Sequence, residues 1–273
     1  METLKGYVNA WDCDENDHLN VQFYYRFFED ACCHFQALAG VSRDDFRRPL
    51  VRHVRYHGEL RKNEAVQVDS VRAGEAQIVH VLSEPVSGRL SATCLETFAG
   101  PLPDALPSGS GAIPENALPR SLDSAPAAAT AATASDRLVL RTRIRAQHCD
   151  PSGAVFDSAI VGFNSDSAAF FWEAVGITEP WLRERNRGRV AVEMKLTRLG
   201  DAAFGDLIHV ISRPIAVARS TVTFENRFVR SETGETVAVV QVTGLTMDLT
   251  ARRAQPLPED LRADLEARIA RSR

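Results

Sequence analysis

The sequence predicts an α+β chain of two tandem copies of one unit, each a long helix wrapped by an antiparallel sheet. Three observations carry that expectation. Asp14 aligns with Asp150 at an offset of 136 (150 − 14), and the same offset superimposes Cys13 on Cys149, Asp30 on Asp166, Phe35 on Phe171, Gly40 on Gly176 and Val41 on Ile177 without a gap. Register kept along a helix to a matching glycine marks an internal repeat. Each half also reads as strand, acidic turn, helix and then several strands with no helix between them, an order that gives an antiparallel sheet. Finally, a stretch rich in Pro, Ala and Ser, residues 101–135, separates the halves. The expected organisation is a first domain over residues 1–100, a flexible, partly extended linker over 101–135, and a second domain over 136–273 with a C-terminal helix.

The elements follow in order. Residues 3–10 and 137–146 are short strands opening each copy. In the second, Leu138, Leu140 and Ile144 alternate with polar residues, with Thr142 the weak position. The first helix carries Tyr24, Phe27, Phe28, Ala31, Phe35 and Leu38 at steps of three and four, one apolar stripe read as core. Gly40 and Gly176 suit helix C-caps. Strand-like runs follow each helix, and "SETGETV" at 231–237 has the composition of a hairpin turn. Leu261, Leu265 and Ile269 at spacing four predict a short amphipathic surface helix at the end.

The bulk properties exclude several classes. The 273 residues are 44% hydrophobic, enough for a real core, and the net charge of −4 does not point to nucleic acid. The first residues lack the apolar region of a signal peptide, and no apolar run is long enough to span a membrane, so a cytoplasmic protein is expected. Five cysteines, with no CxxC pair, indicate neither a zinc knuckle nor a disulfide framework. Cys13 has His18 nearby, whereas Cys149 is adjacent to His148. That mismatch disfavours a shared thiol nucleophile. His53, His57, His80 and His209 fall on strand-like runs and read as sheet residues. No spaced histidine pair with acidic support appears, so no metal is expected. No nucleotide-binding glycine motif is present either.

Chemistry concentrates in two turns, "WDCDENDHLN" at 11–20 and "HCDPSGAVFD" at 148–157. A carboxylate ahead of a helix N-terminus sits where unpaired N–H groups and positive potential favour charge, and where a polarised carbonyl oxygen would be stabilised. Asp and Asn there are also the commonest helix caps. The first turn, with its continuation "VQFYYRFFEDA", resembles the opening motif of hotdog-fold acyl-CoA thioesterases. The second resembles the D-C-D-P-A-G-I-V turn of the 4-hydroxybenzoyl-CoA thioesterase family. The resemblance spans both halves and implies a double-hotdog chain, two fused copies packed side by side.

The resemblance implies the following site residues. The catalytic carboxylate of the 4-hydroxybenzoyl-CoA family transfers to Asp150, and to Asp14 in the first copy. Asp14, Asn16, His18 and Asn20 match the D-x-N-x-H-x-N pattern of hotdog acyl-ACP thioesterases, where Asp, Asn and His position or activate groups for hydrolysis. Asn20, Gly153 and Asp157 are the corresponding substrate-binding positions. Asp17 replaces the usual glycine of the first turn, and His148 replaces the first Asp of the second. The expected activity is acyl-CoA hydrolysis to free acid and CoA. No cofactor is implied beyond the coenzyme A of the substrate, and no nucleic-acid or membrane partner, while a homo-oligomer is compatible with the resemblance. Two other readings remain at this stage. A hotdog hydratase or dehydratase would carry D-x-N-P-x-H, but His18 lies four residues after Asp14 and no Pro follows Asn16. A non-catalytic acyl-thioester-binding module is the second.

Overall fold

A computed structural model of the chain describes residues 1–14, 16–109, 112–123 and 133–271. The chain divides into two compact units, Met1–Arg120 and Ser121–Arg273.

The first unit opens with β1 (Glu2–Tyr7), passes through the acidic turn into α1 (Val21–Leu38), and continues as β2 (Val51–Tyr56), β3 (Ala65–Gly74), β4 (Gln77–Glu84) and β5 (Arg89–Thr97). Its strands lie in the order β1-β3-β4-β5-β2, antiparallel at each pairing. The Asn20 side chain accepts the Gln22 N–H at 3.1 Å and starts α1. Tyr24, Phe27, Phe28, Ala31 and Phe35 of the predicted stripe are buried, together with Tyr25 and Cys32. Leu38 is the exception. At the last helical position it is 59% exposed, where the helix ends beyond the sheet contact. Gly40, at φ +79°, turns the chain in the left-handed region while Val41 N–H reaches back to the Gln36 carbonyl at 3.1 Å.

The second unit repeats this plan as β6 (Arg137–Arg143), α2 (Asp157–Asp166), α3 (Ala168–Ala174), α4 (Glu179–Glu184), β7 (Arg187–Arg198), β8 (Leu207–Val217), β9 (Thr221–Arg230), β10 (Thr236–Asp248), β11 (Arg253–Ala254) and α5 (Glu259–Ala270). Its strand order, β6-β8-β9-β10-β7, reproduces that of the first unit strand for strand, with β11 paired to β10. The helix closes as in the first unit, with Gly176 at φ +86° and Ile177 N–H on the Trp172 carbonyl at 3.0 Å. Leu265 and Ile269 of α5 are buried, and its charged face is exposed.

Three expectations change in detail. The predicted long helix of the second copy is two segments, because the Ser167 hydroxyl donates to the Asn164 carbonyl at 2.8 Å and competes with the helical ladder. In β6 the buried residue is Val139 rather than Leu138, since the pairing with β8 shifts register between Leu138 and Leu140. The described parts of the predicted linker are packed. Leu102 and Leu106 join Phe35, Ile78 and Phe98, while Ala117 and Ile113 cover Val79 and Leu95. Backbone groups of this segment are also met by Arg72, Arg55 and Thr93. A few well-spaced apolar residues therefore suffice to order a Pro-, Ala- and Ser-rich stretch that contains no aromatic residue. Residues 110–111 and 124–132 of that stretch lie outside the described residues, as do the last two residues, 272–273, of the predicted terminal helix.

Candidate active site

In the first unit the acidic turn is a closed loop. The Asp14 N–H bonds the His18 carbonyl at 2.8 Å, and Cys13 bridges Leu19. One carboxylate oxygen of Asp14 accepts both the Asn16 N–H at 2.8 Å and the His18 N–H at 3.1 Å. This is the Asx type of side-chain turn, in which a side-chain oxygen three bonds from Cα reaches the N–H two residues on, a geometry that favours Asp or Asn. Asp17 occupies the usual glycine position at φ +61°, a region that Asp tolerates with strain, and Lys62 meets its carboxylate at 3.2 Å. Asp12, fully buried, is held by Asn9 and by Arg26 at 3.4 Å.

The loop delivers His18 to a place where only a tenth of its side chain is exposed and its Nε2 lies 3.2 Å from Glu59 Oε2. Nothing in the sequence spacing singled out Glu59, which lies in the stretch after β2. Its own position is fixed by a clamp. Leu60 N–H donates to Tyr24 Oη at 3.3 Å, the Ser91 hydroxyl donates to the Gly58 carbonyl at 2.6 Å, and Arg89 donates to the Glu59 carbonyl. Because the Ser91 proton is spent on Gly58, the 3.2 Å Tyr24–Ser91 contact must carry the tyrosine proton. Burial pushes the Tyr24 phenol up, against the pull of its Ser91 and Leu60 hydrogen bonds, so it keeps that proton.

The second unit builds the same loop without the histidine. Asp150 accepts the N–H groups of Ser152 at 2.8 Å and Ala154 at 3.2 Å, and its own N–H bonds the Ala154 carbonyl. Gly153 takes the left-handed position at φ +89°. Val155 N–H meets the Ala202 carbonyl just as Leu19 N–H meets that of Leu60, which sets Ala154 where the first unit has His18 and Asp201 where it has Glu59. His148 lies instead at the position of Asp12, edge-on to Phe163. Burial first, then Arg145, lowers its pKa, with Asp166 opposing.

Several sequence-based roles meet other occupations. Neither Asp14 nor Asp150 caps a helix. Asn20 caps α1, and α2 begins after Phe156 with no side-chain cap. Asp157 is buried and ion-paired with Arg198. Arg187 and Arg189 reach Thr246 and Glu179. The Cys13 thiol points to the Asn9 carbonyl, and burial followed by the Asp17 and Asp14 charges raises its pKa, the reverse of what a nucleophile needs.

Among the described residues, no helix is long and apolar enough to cross a membrane. Two units, each with a helix packed on an antiparallel sheet and an acidic loop ahead of that helix, define a hotdog fold. Residues 144–265, within the second unit, match the model of the thioesterase-like superfamily. Three solved structures align over most of the chain. An assigned oleoyl thioesterase of Lactobacillus plantarum is 11% identical with a TM-score of 0.68, covering 89% of this chain and 95% of its own. The 12:0-ACP thioesterase of Umbellularia californica is 11% identical at 0.63, covering 89% and 93%. An acyl-ACP thioesterase of Bacteroides thetaiotaomicron is 11% identical at 0.57, covering 88% and 96%. At that identity they show the fold. No curated protein matches the chain.

Proposed function

We propose that the chain hydrolyses acyl-CoA to free acid and CoA at one working site, the Asp14 loop of the first unit. The observation that carries this reading is the 3.2 Å approach of His18 Nε2 to Glu59, joined to a loop whose second copy has Ala154 in the histidine's place. A carboxylate accepting Nε2–H leaves Nδ1 as the basic nitrogen, suited to general-base work near neutral pH. Water loses a proton to Nδ1 as its oxygen attacks the thioester carbon. The C–S bond then breaks, and the proton passes to the departing sulfur.

In this reading Asn16 and the N-terminus of α1, capped by Asn20, supply dipoles for the carbonyl oxygen as charge develops on it. Asp14 holds the loop rather than attacking the substrate, and Asp150, Gly153 and Asp157 have structural roles in the second unit. Two of the neighbours are named for acyl-ACP substrates, so the carrier is tested alongside CoA. The test is thiol release, followed with a disulfide chromogen, over a panel of acyl-CoAs and acyl-ACPs. Release that requires His18 and Glu59 and survives Asp150→Ala supports the reading. Absence of release from every thioester overturns it, and a change in enoyl absorbance instead would indicate a hydratase.

A further inference from the structure

Beneath α1 of the first unit three buried side chains from separate elements face one another: Cys32 of α1, His80 of β4 and Glu96 of β5. One donor atom of each lies within 4.8 Å of the other two. The hydroxyl protons around them can be counted. Thr3 donates its proton to the Val68 carbonyl at 3.1 Å, so its 2.7 Å contact with Ser70 must use the Ser70 proton. The 2.6 Å contact between Ser70 and His80 Nδ1 is then a donation from Nδ1–H. A neutral His80 therefore carries its lone pair on Nε2. That atom lies 3.4 Å from Glu96 Oε2, and neither atom makes a hydrogen bond among the described residues. Two buried acceptors facing each other are unfavourable unless a proton on His80 or a bound cation lies between them.

We propose that Cys32, His80 and Glu96 bind one divalent cation of the zinc class, a structural site independent of hydrolysis. The donor set of one thiolate, one imidazole and one carboxylate suits zinc, leaving a fourth position for water. Nitrogen and oxygen ligands at tetrahedral angles on zinc lie about 3.3 Å apart, close to the His80–Glu96 separation. Each ligand also has an outer partner that orients it. Ser70 holds His80 Nδ1, Arg52 Nε holds Glu96 Oε1 at 2.7 Å, and Gln36 Nε2 approaches Cys32 Sγ at 3.5 Å. Charge balance agrees. Glu29 pairs with Arg52 at 3.6 Å, and a dication offsets the Cys32 thiolate and Glu96. Binding expels the Cys32 thiol proton. Sequence spacing concealed the set because its members come from one helix and two strands.

The test uses the full chain produced in zinc-supplemented medium and, separately, in cobalt-supplemented medium. Elemental analysis is expected to find about one metal per chain, and the cobalt form to show a thiolate-to-cobalt charge-transfer band. Cys32→Ser should abolish that band and weaken retention of metal by at least about tenfold. Cys94→Ser, at a buried cysteine outside the set, should keep both. Should Cys32→Ser fail to fold, the wild-type cobalt spectrum and the Cys94→Ser control still decide. A metal-free wild type without the band overturns the proposal in favour of a protonated His80 between the same groups, as does a band that persists in folded Cys32→Ser.

Discussion

Replacing His18 by Ala gives the first loop the residue that the second loop carries at that place, Ala154. The side chain is mostly buried, but its partner Glu59 is 31% exposed, so the carboxylate left behind regains water. The stability cost is accordingly small, about 1 kcal/mol or less, as for partly exposed ion pairs. The catalytic cost is large if the imidazole moves the proton. Positioned acid–base groups contribute roughly 10²–10⁴ in rate, equivalent to ~3–5 kcal/mol of barrier. The loss should fall on kcat with KM little changed, since the group acts mainly in the transition state. Glu59→Gln keeps an acceptor but removes the charge facing the imidazole, and should cost less in rate than loss of the imidazole itself. Initial rates of thiol release with a saturating acyl-CoA, beside a thermal melt of each variant, measure both terms. A folded His18→Ala variant whose kcat/KM stays within about threefold of wild type refutes the mechanism.

Three further outcomes follow from the same geometry. Asp14→Ala and Asp150→Ala each remove a carboxylate that accepts two backbone N–H groups, so both should lose about 1–2 kcal/mol in thermal melts, while only Asp14→Ala lowers thiol release. Tyr24→Phe leaves the buried Leu60 N–H without its acceptor and loosens the backbone that carries Glu59. It should cost about 1–3 kcal/mol of stability and lower kcat, and unchanged kcat would show that the clamp does not matter to the site. In the metal-free protein burial disfavours the Glu96 carboxylate, but Arg52 first and His80 second overcome it and hold its pKa at about 2, against the ordinary 4.5. A carboxylate with a depressed folded-state pKa stabilises the fold above pH 4.5 and loses that contribution as pH falls towards 2. The shift corresponds to about 3 kcal/mol, visible as a falling melting midpoint across that window that is shallower in Glu96→Gln.

The sequence by itself determined the repeat, the elements and the two loops. Side-chain period and turn chemistry are local properties, which is why the stripe from Tyr24 to Phe35, the left-handed Gly40 and Gly176, and the Asp14 and Asp150 turns were legible from residue order. The strand order shared by the units was implied by the repeat, although no single strand specified its neighbour. Other features depended on contacts between residues far apart in the chain. Glu59 meets His18 only because the stretch after β2 returns beside the loop. Asp157 is neutralised by Arg198 from a distant strand, and Cys32, His80 and Glu96 converge from three elements. The 101–122 segment packs because its scattered leucines and alanines find apolar surface that composition cannot show. Tertiary structure decided these points because a buried charge takes its partner from whatever the fold brings within a few ångströms, a choice to which sequence spacing is blind.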